Sequence, residues 1–439
     1  MSTLTNMLQQ TPYLSYSYAY PHKTSYRPLN PPIPLSTLWR NEPTTALFLY
    51  LHIPFCAMRC GFCNLFTTAN PSQELVSAYL MALERQARQV RAAIGPVSIA
   101  RLALGGGTPT YLSPANLERL FDLAEDLFGV EPQTIPIAVE TSPGTADAER
   151  LRVLRTRGAE RISIGVQSFQ AAEVRAIGRS QYTTDVERAL AAIRNAGFTT
   201  LNIDLMYGLP GQTLASWQAT LQQALAYQPE ELYLYPLYVR PLTGLEHMGQ
   251  SWDDQRLLLY RAGRELLLAA GYTQMSMRMF RAAHAPASNG PTYCCQEDGM
   301  IGLGCGARSY TQGLHYASEY AVGAAGVRAI LADYIGRSDP AFALADYGIV
   351  LDAAEQRRRY IIKSLLKVEG VSLTAYARRF TSHVFDDLPQ LAELVAHGLA
   401  TQTRSHVHLT AAGIERSDTI GPWLASAHVQ TLIEEYTRR

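Results

Sequence analysis

Six short apolar runs alternate with amphipathic stretches between residues 46 and 239, and they predict an α/β chain. Its centre is expected to be an open, TIM-like partial (β/α)6 barrel with a parallel sheet inside and helices outside. The first observation is the runs themselves: ALFLYLHI, SIARLALGG, IPIAVE, ISIGVQ, TLNIDLMYG and ELYLYPLYV are apolar and of strand length. The second is that the stretches between them read as helices with proper ends. The third is the count, since six units fall short of the eight that close a barrel, leaving a side open for a large substrate. Around this core at 46–255 the sequence predicts an N-terminal arm at 1–45, a barrel extension and substrate wall at 256–345, and a mostly helical region at 346–439.

The arm is polar and rich in Tyr, and its prolines at 28, 31, 32 and 34 argue for an arm or loop layer rather than a helix. A helix over 71–94 opens with Pro71 and Ser72 and stops before Gly95 and Pro96. The helix over 114–128 has Ser113 as its N-cap and Pro114 in its first turn. Further helices are expected over 145–157, 170–178, 184–196, 213–227 and 253–270. Residues 271–345 are mixed and Gly-rich, which predicts short strands and loops extending the barrel wall. Met275, Met277 and Met279 alternate there as one face of a strand would. From about Asp346 the pattern turns helical, with Arg357, Arg358 and Arg359 on a solvated helix face, and HVHLTAAG reads as a strand and turn.

Composition narrows the function. The chain of 439 residues is 47% hydrophobic, enough for two or three domains with ordinary cores. Lys+Arg and Asp+Glu are equal at 38 each, so no global basic field calls for nucleic acid or an anionic membrane. No apolar run reaches the roughly 20 residues of a membrane span, and the first residues lack a secretion signal, so a cytoplasmic location is expected. Six cysteines do not make a disulfide framework in a chain this long. Three of them, Cys56, Cys60 and Cys63, crowd into CxxxCxxC. Closely spaced thiolates hold iron–sulfur clusters, and three ligands to a four-iron cluster leave one iron open. A zinc site would want a fourth ligand. Cys294, Cys295 and Cys305 read as ordinary thiols.

In a parallel barrel the functional groups gather at the carboxyl ends of the strands. Gly105, Gly106, Gly107 and Thr108 end the second run, Glu140 the third and Gln167 the fourth, while Asp204 interrupts the fifth and Arg179 follows in AIGRSQ. The cysteine motif together with HIPFC, GGGTPTYL, GVQSF and NIDLMYGLPGQT resembles the radical S-adenosylmethionine (SAM) superfamily. Within it, these motifs resemble the group of oxygen-independent coproporphyrinogen III oxidases, related haem chaperones and a class of methyltransferases. The resemblance implies a 4Fe–4S cluster on Cys56, Cys60 and Cys63, one SAM molecule or two, and cleavage of SAM to a 5′-deoxyadenosyl radical. By the same resemblance Tyr50, Glu140 and Arg179 are cluster-side SAM contacts, and Gly106, Gly107, Thr108, Gln167 and Asp204 are further SAM contacts. Phe62 would pack on the adenine. Backbone amides suit the amino-acid end of SAM, a carboxylate suits ribose hydroxyls, and an arginine can pair with the SAM carboxylate.

The implied activity is oxidative decarboxylation of a tetrapyrrole, with haem carriage or methyl transfer with two SAM molecules as alternatives. An electron donor such as flavodoxin or ferredoxin is implied as partner. YPHKTSYRPL in the arm resembles an oxidase segment that lies over the active site, and the C-terminal region resembles a winged-helix-like domain that walls the substrate cavity. Arg240, Arg278, Arg281 and Arg308 are candidate partners for substrate carboxylates. One departure stands out: where many of the oxidases carry a fourth cysteine, this chain has Leu65.

Overall fold

A computed structural model describes residues 4–436 except 10, 18, 249–253, 288–290, 292 and 296. Residues 1–3, 10 and 18 of the arm and residue 253 of the expected helix 253–270 therefore lie outside the described residues. The six predicted strands are present as Leu47–Ile53, Ile99–Gly106, Ile137–Thr141, Arg161–Gln167, Thr200–Tyr207 and Glu231–Pro236, each parallel to the next. Alternation sorts their side chains: Leu47, Leu49, Leu51, Leu232 and Leu234 are fully buried, while Phe48, Tyr50, Tyr233 and Tyr235 stand half-buried on the other face. The intervening helices keep the expected ends. Ser72 accepts a hydrogen bond from the Leu75 amide, and Ser113 accepts one from the Asn116 amide.

The extension adds a seventh parallel strand, Met300–Leu303, beside Leu47–Ile53. Four residues with a glycine among them carry too little periodicity to announce it. From there the sheet continues antiparallel through Arg308–Tyr310, Leu314–Ala317 and Leu344–Val350 to the arm strand Arg27–Pro34. Its other edge is the hairpin Tyr272–Gln274 and Met279–Ala282.

Several expectations are corrected. The prolines of the arm occupy an edge strand, where a missing N–H costs no ladder bond, and a short helix, Leu4–Gln9, precedes them. Met275 and Met277 lie in the hairpin turn, so the three methionines do not share a strand face. The arginine run is half-buried rather than solvated. Arg357 pairs with Asp387 at 3.0 Å, Arg358 donates to Leu424 O at 2.6 Å, and Arg359 donates to Cys295 O at 2.6 Å. Asp346 belongs to the last sheet strand, and the helical pattern starts at Ala353. Beyond it, helices surround a small sheet of Val371–Ser372, His406–Leu409 and Ala400–Gln402.

One buried ion pair joins the hairpin, the arm and the C-terminal region. Arg278 is 4% exposed and Asp418 1%, and Nη2 meets Oδ2 at 2.5 Å. Tyr238 donates its hydroxyl to the same carboxylate oxygen. The guanidinium lies 3.7 Å from the centre of the Tyr16 ring, and the Ser15 amide donates to Asp418 O at 3.1 Å. Removing one partner strands the other's charge in a dry place. Asp418→Asn is therefore expected to cost about 3–5 kcal/mol, read from the urea midpoint. The double change Arg278→Met with Asp418→Leu should recover most of that loss.

Candidate functional site

Cys56 sits on the two-residue strand Phe55–Cys56, which pairs in parallel with Thr68–Ala69 and pinches off the loop that carries Cys60 and Cys63. The Cys63 amide donates to Cys60 O at 3.0 Å, turning the loop. Its middle is docked at Gly61, whose N–H donates to Ile177 O at 2.9 Å and whose carbonyl accepts from the Leu245 amide at 2.8 Å. A methyl group there would stand 2.8 Å from Ile177 O. From the other side Tyr320 donates its hydroxyl to Asn64 O and Arg59 donates to Val322 O.

The three thiols are unbridged and half-buried, and each has a polar neighbour. Thr108 Oγ1 donates to Cys56 Sγ at 3.5 Å, Arg179 Nη1 donates to Cys60 Sγ at 3.3 Å, and Thr67 Oγ1 lies 3.8 Å from Cys63 Sγ. Burial pushes the Cys56 thiol up to about 12 and raises Cys63 as well. Such thiols stay protonated until a metal displaces the proton. Among the described residues no three ligands converge on a single ion. A four-iron cluster asks for something different, because each thiolate binds its own iron. Three separate sulfurs with donors beside them, on a loop anchored from both sides, fit that group.

The glycine turn is threaded against the cysteine strand. The Gly107 amide donates to Ile53 O and the Thr108 amide to Phe55 O, both at 2.8 Å. Gly106 has φ +117°, and a methyl group on it would meet the His52 ring at 2.7 Å. The Gly106 amide donates to Glu140 Oε2 at 3.0 Å, and the same carboxylate lies 2.9 Å from where a Gly105 side chain would begin. The Tyr50 ring closes that pocket, with its hydroxyl 3.2 Å from His52 Nδ1. Glu140 is open to the barrel interior, yet surrounding protein, with Asp204 as a lesser contributor, pushes its carboxyl up to about 7. Asp204 is pushed to about 6, again mainly by burial, although Asn202 Nδ2 donates to its Oδ1 at 2.8 Å.

On the next strands, Arg179 also donates to Gly165 O at 2.6 Å and to Gln181 Oε1 at 2.8 Å, tying a strand end to the cysteine loop. Gln167 takes a left-handed backbone, φ +69°, at an irregularity in the ladder, and its amide folds back over Gly165. Phe62 packs with Ile177, Met206, Leu209, Leu237 and Leu245. Thus Cys56, Gly107 and Thr108 meet on one side. Cys60 and Arg179 meet on another, with Gln167 beside them over Gly165. Tyr50, Gly106 and Glu140 meet on a third, and Asp204 acts electrostatically on Glu140 across the interior.

Two groups were not read from sequence as parts of a site. His52 is 6% exposed and held neutral, with burial lowering it to about 4. Its place two residues after Tyr50, on the same inward face, was the available signal. The second group is cationic. Arg359, Lys363 and Lys367 recur every fourth residue along and just past the helix Ala353–Leu365. Lys363 and Lys367 line a cavity of about 380 Å³ whose other walls include Tyr16, Tyr233, Met275 and Met279. Arg308 acts electrostatically on Lys363 from the sheet side and on Lys23 from the arm side. Of the other predicted cations, Arg278 is committed to Asp418, Arg240 lies 4.4 Å from the Tyr238 ring centre, and Arg281 donates to Pro286 O.

Comparison with known proteins agrees with this geometry. A family model described as the radical SAM superfamily matches residues 50–224, and one described as the HemN C-terminal domain matches 351–415. The chain is 30% identical to the haem chaperone HemW of Bacillus subtilis, over 83% of this chain and 95% of that one. It is 29% identical to the oxygen-independent coproporphyrinogen III oxidase of Cereibacter sphaeroides, over 86% and 88%. Its fold is similar to that of the solved coproporphyrinogen III oxidase HemN of Escherichia coli, with a TM-score of 0.74, 26% identity and coverage of 88% and 91%.

The tightest contact in the site gives a direct test. At Gly107 a methyl group would stand 2.7 Å from Phe55 O and 2.9 Å from Cys56 Sγ, so the cysteine strand would have to move. Gly107→Ala is expected to lower iron and sulfide per chain several-fold after anaerobic reconstitution, while Gly144→Ala, which meets nothing within 4 Å, leaves both unchanged.

Proposed function

The chain belongs to the radical SAM superfamily, in the group that holds HemW-type haem chaperones and oxygen-independent coproporphyrinogen III oxidases, and from that premise we propose that it is an enzyme acting on a polycarboxylate tetrapyrrole. Its cofactors are a 4Fe–4S cluster and SAM. The observation that carries the proposal is the cavity of about 380 Å³ that Lys363 and Lys367 line together with Tyr16, Tyr233, Met275 and Met279, in a chain whose net charge is zero. Like charges gathered in a low-dielectric space are costly unless an anion joins them. A porphyrinogen brings several carboxylates on an apolar ring, and the Tyr and Met side chains of the same cavity suit the ring.

In this reading Cys56, Cys60 and Cys63 hold the cluster. Once bound, the cluster and SAM supply one-electron chemistry that takes hydrogen from an unactivated carbon. The chain's own residues do the rest. Arg179 and Thr108 stabilise thiolate charge on Cys60 and Cys56. Backbone at Gly106 and Gly107, with Thr108, receives the amino-acid end of SAM, while Tyr50 and Glu140 wall its inner side. Gln167 and Asp204 face the ribose, and Phe62 packs on the adenine. The arm and the C-terminal region cover the open side of the barrel and exclude water from a reactive intermediate.

A second reading, haem carriage, is favoured by Leu65 at the fourth-cysteine position and by the extensive match to HemW. Anaerobic turnover separates the two. With coproporphyrinogen III, SAM and dithionite, the enzyme reading expects decarboxylated product in step with 5′-deoxyadenosine. Tight stoichiometric haem binding with no such product would select carriage instead.

Glu140 gives a pH test. Its carboxylate must be ionised to accept a hydroxyl hydrogen bond fully, and it stands at about 7. SAM affinity should fall as pH drops through about 7 and hold above it. Glu140→Gln should flatten that profile and weaken binding about tenfold at pH 8, the scale of one hydrogen bond to a charged group. Equilibrium dialysis with the reconstituted protein measures both.

A further inference from the structure

We propose that the Lys363–Lys367 pair grips two neighbouring carboxylates on one edge of the substrate, and that these are the carboxylates the reaction leaves unchanged. Lys367 is then a specificity-determining residue. The inference rests on the tetrapyrrole reading above and adds an edge and a direction to it.

The two lysines share the wall of one cavity of about 380 Å³. They stand one turn apart where the helix Ala353–Leu365 ends, and the Lys367 amide donates to Ser364 O at 3.1 Å to continue that turn. Among the described residues the cations lining the cavity are these two and Arg278, and Arg278 is committed to Asp418 at 2.5 Å. Glu369 lines the cavity two residues past Lys367 and ends the cationic stretch. Most of the remaining wall is apolar or aromatic, with Tyr16, Tyr233, Met275, Met279 and Leu366 in it. A carboxylate turned toward those side chains would be buried without a partner. The wall therefore suits a ligand with two negative charges side by side on an apolar body.

The lysine pair and the apolar wall are held at a fixed spacing. Ser276 pairs with Lys367 in an antiparallel bridge, and the Val368 amide donates to Met275 O at 3.0 Å. Within the turn the Met275 amide donates to Met279 O at 2.8 Å, and Ser276 Oγ accepts from the Met279 amide at 3.1 Å. The methionine turn and the backbone of Lys367 thus form one unit. Burial lowers the Lys363 ammonium to about 8, and an entering carboxylate would stabilise its charged form.

Tyr233 leads from the cavity back to the cysteine loop. Its ring stacks on that of Tyr235, with centres 5.9 Å apart and 20° between the planes. Tyr235 packs against the same buried group as Phe62, which lies between Cys60 and Cys63. A ring held at one edge by lysines of the C-terminal region leaves its other edge on Tyr233, the barrel's side. The side chains presented toward the cluster are therefore the ones the lysines do not grip.

The test uses the reconstituted protein with SAM, without air, and three probes read by porphyrin fluorescence quenching, with iron per chain measured alongside. Coproporphyrin III and protoporphyrin IX both carry a pair of propionates flanking one bridging carbon. Coproporphyrin I has the same charge as coproporphyrin III and no such pair. Wild-type protein is expected to bind coproporphyrin III and protoporphyrin IX with similar affinity and coproporphyrin I about tenfold more weakly. Lys367→Met should weaken the first two about tenfold, erase the preference for coproporphyrin III over I, and leave iron unchanged; Lys367→Arg should bind as wild type does. Equal wild-type binding of coproporphyrins I and III, rejection of protoporphyrin IX, or a preference that survives in Lys367→Met would each overturn the proposal and leave the tetrapyrrole reading intact. Equal weakening of all three probes by Lys367→Met, or loss of iron, would assign Lys367 a packing role and overturn it too. Wild-type protein that binds no probe would remove the tetrapyrrole reading and this proposal together.

Discussion

The approach of Gly107 to the Phe55–Cys56 backbone governs the site, because two ligand-bearing segments share that one contact. Ile53 O and Phe55 O accept from the Gly107 and Thr108 amides, so the glycine turn and the cysteine strand run as one unit. The position of Cys56 then follows from the end of the second parallel strand, and the cluster loop hangs from it. Glu140 enters the same unit through the Gly106 amide, and Tyr50 through the space that glycine leaves at 105. A side chain at any of the three glycines would push apart groups that now touch, and the reason is local geometry rather than stability.

Charge is arranged with equal economy. The chain is neutral overall, so its interior cations are not the overflow of a basic protein. Two of them, Lys363 and Lys367, line the cavity, and Arg308 acts electrostatically on Lys363. The interior acids Glu140 and Asp204 stand on the parallel strands, where burial raises both carboxyls.

The barrel and the cysteine site were legible because their signals are local. Glu140 was marked by its place at the end of an apolar run and Asp204 by interrupting one, and the CxxxCxxC spacing singled out the three cysteines that the structure sets on one loop. The cation wall was legible only in part. Arg308 was a candidate, but Arg278 was chosen on the same ground, and a charge 140 residues away at Asp418 neutralises it. Nothing near Arg278 in sequence reports that partner. Lys363 and Lys367 have helical spacing, yet spacing alone does not say whether a face looks to solvent or to a cavity. Lys23 was hidden inside an arm expected to be irregular. The strand Arg27–Pro34 that orders it depends on pairing with Leu344–Val350, more than 300 residues on.

The two ends of the chain also explain why similarity in the core leaves activity open. The arm is bonded to the C-terminal region at several points: Tyr20 to Glu355, Arg27 to Leu432 O, and Arg416 to Leu8 O at 3.2 Å. Tyr436 reaches Tyr320 O at 2.8 Å, on the segment that also braces the cluster loop. The cavity is therefore walled largely by segments that fold onto the barrel, with Tyr233 as the barrel's own contribution. The superfamily match spans residues 50–224 and the C-terminal match 351–415, and Lys23, Arg278, Arg308 and the Met275–Met279 turn fall outside both. Relatives named as a haem chaperone and as an oxidase match the chain over most of its length at nearly the same identity, so the shared fold alone does not carry what separates them.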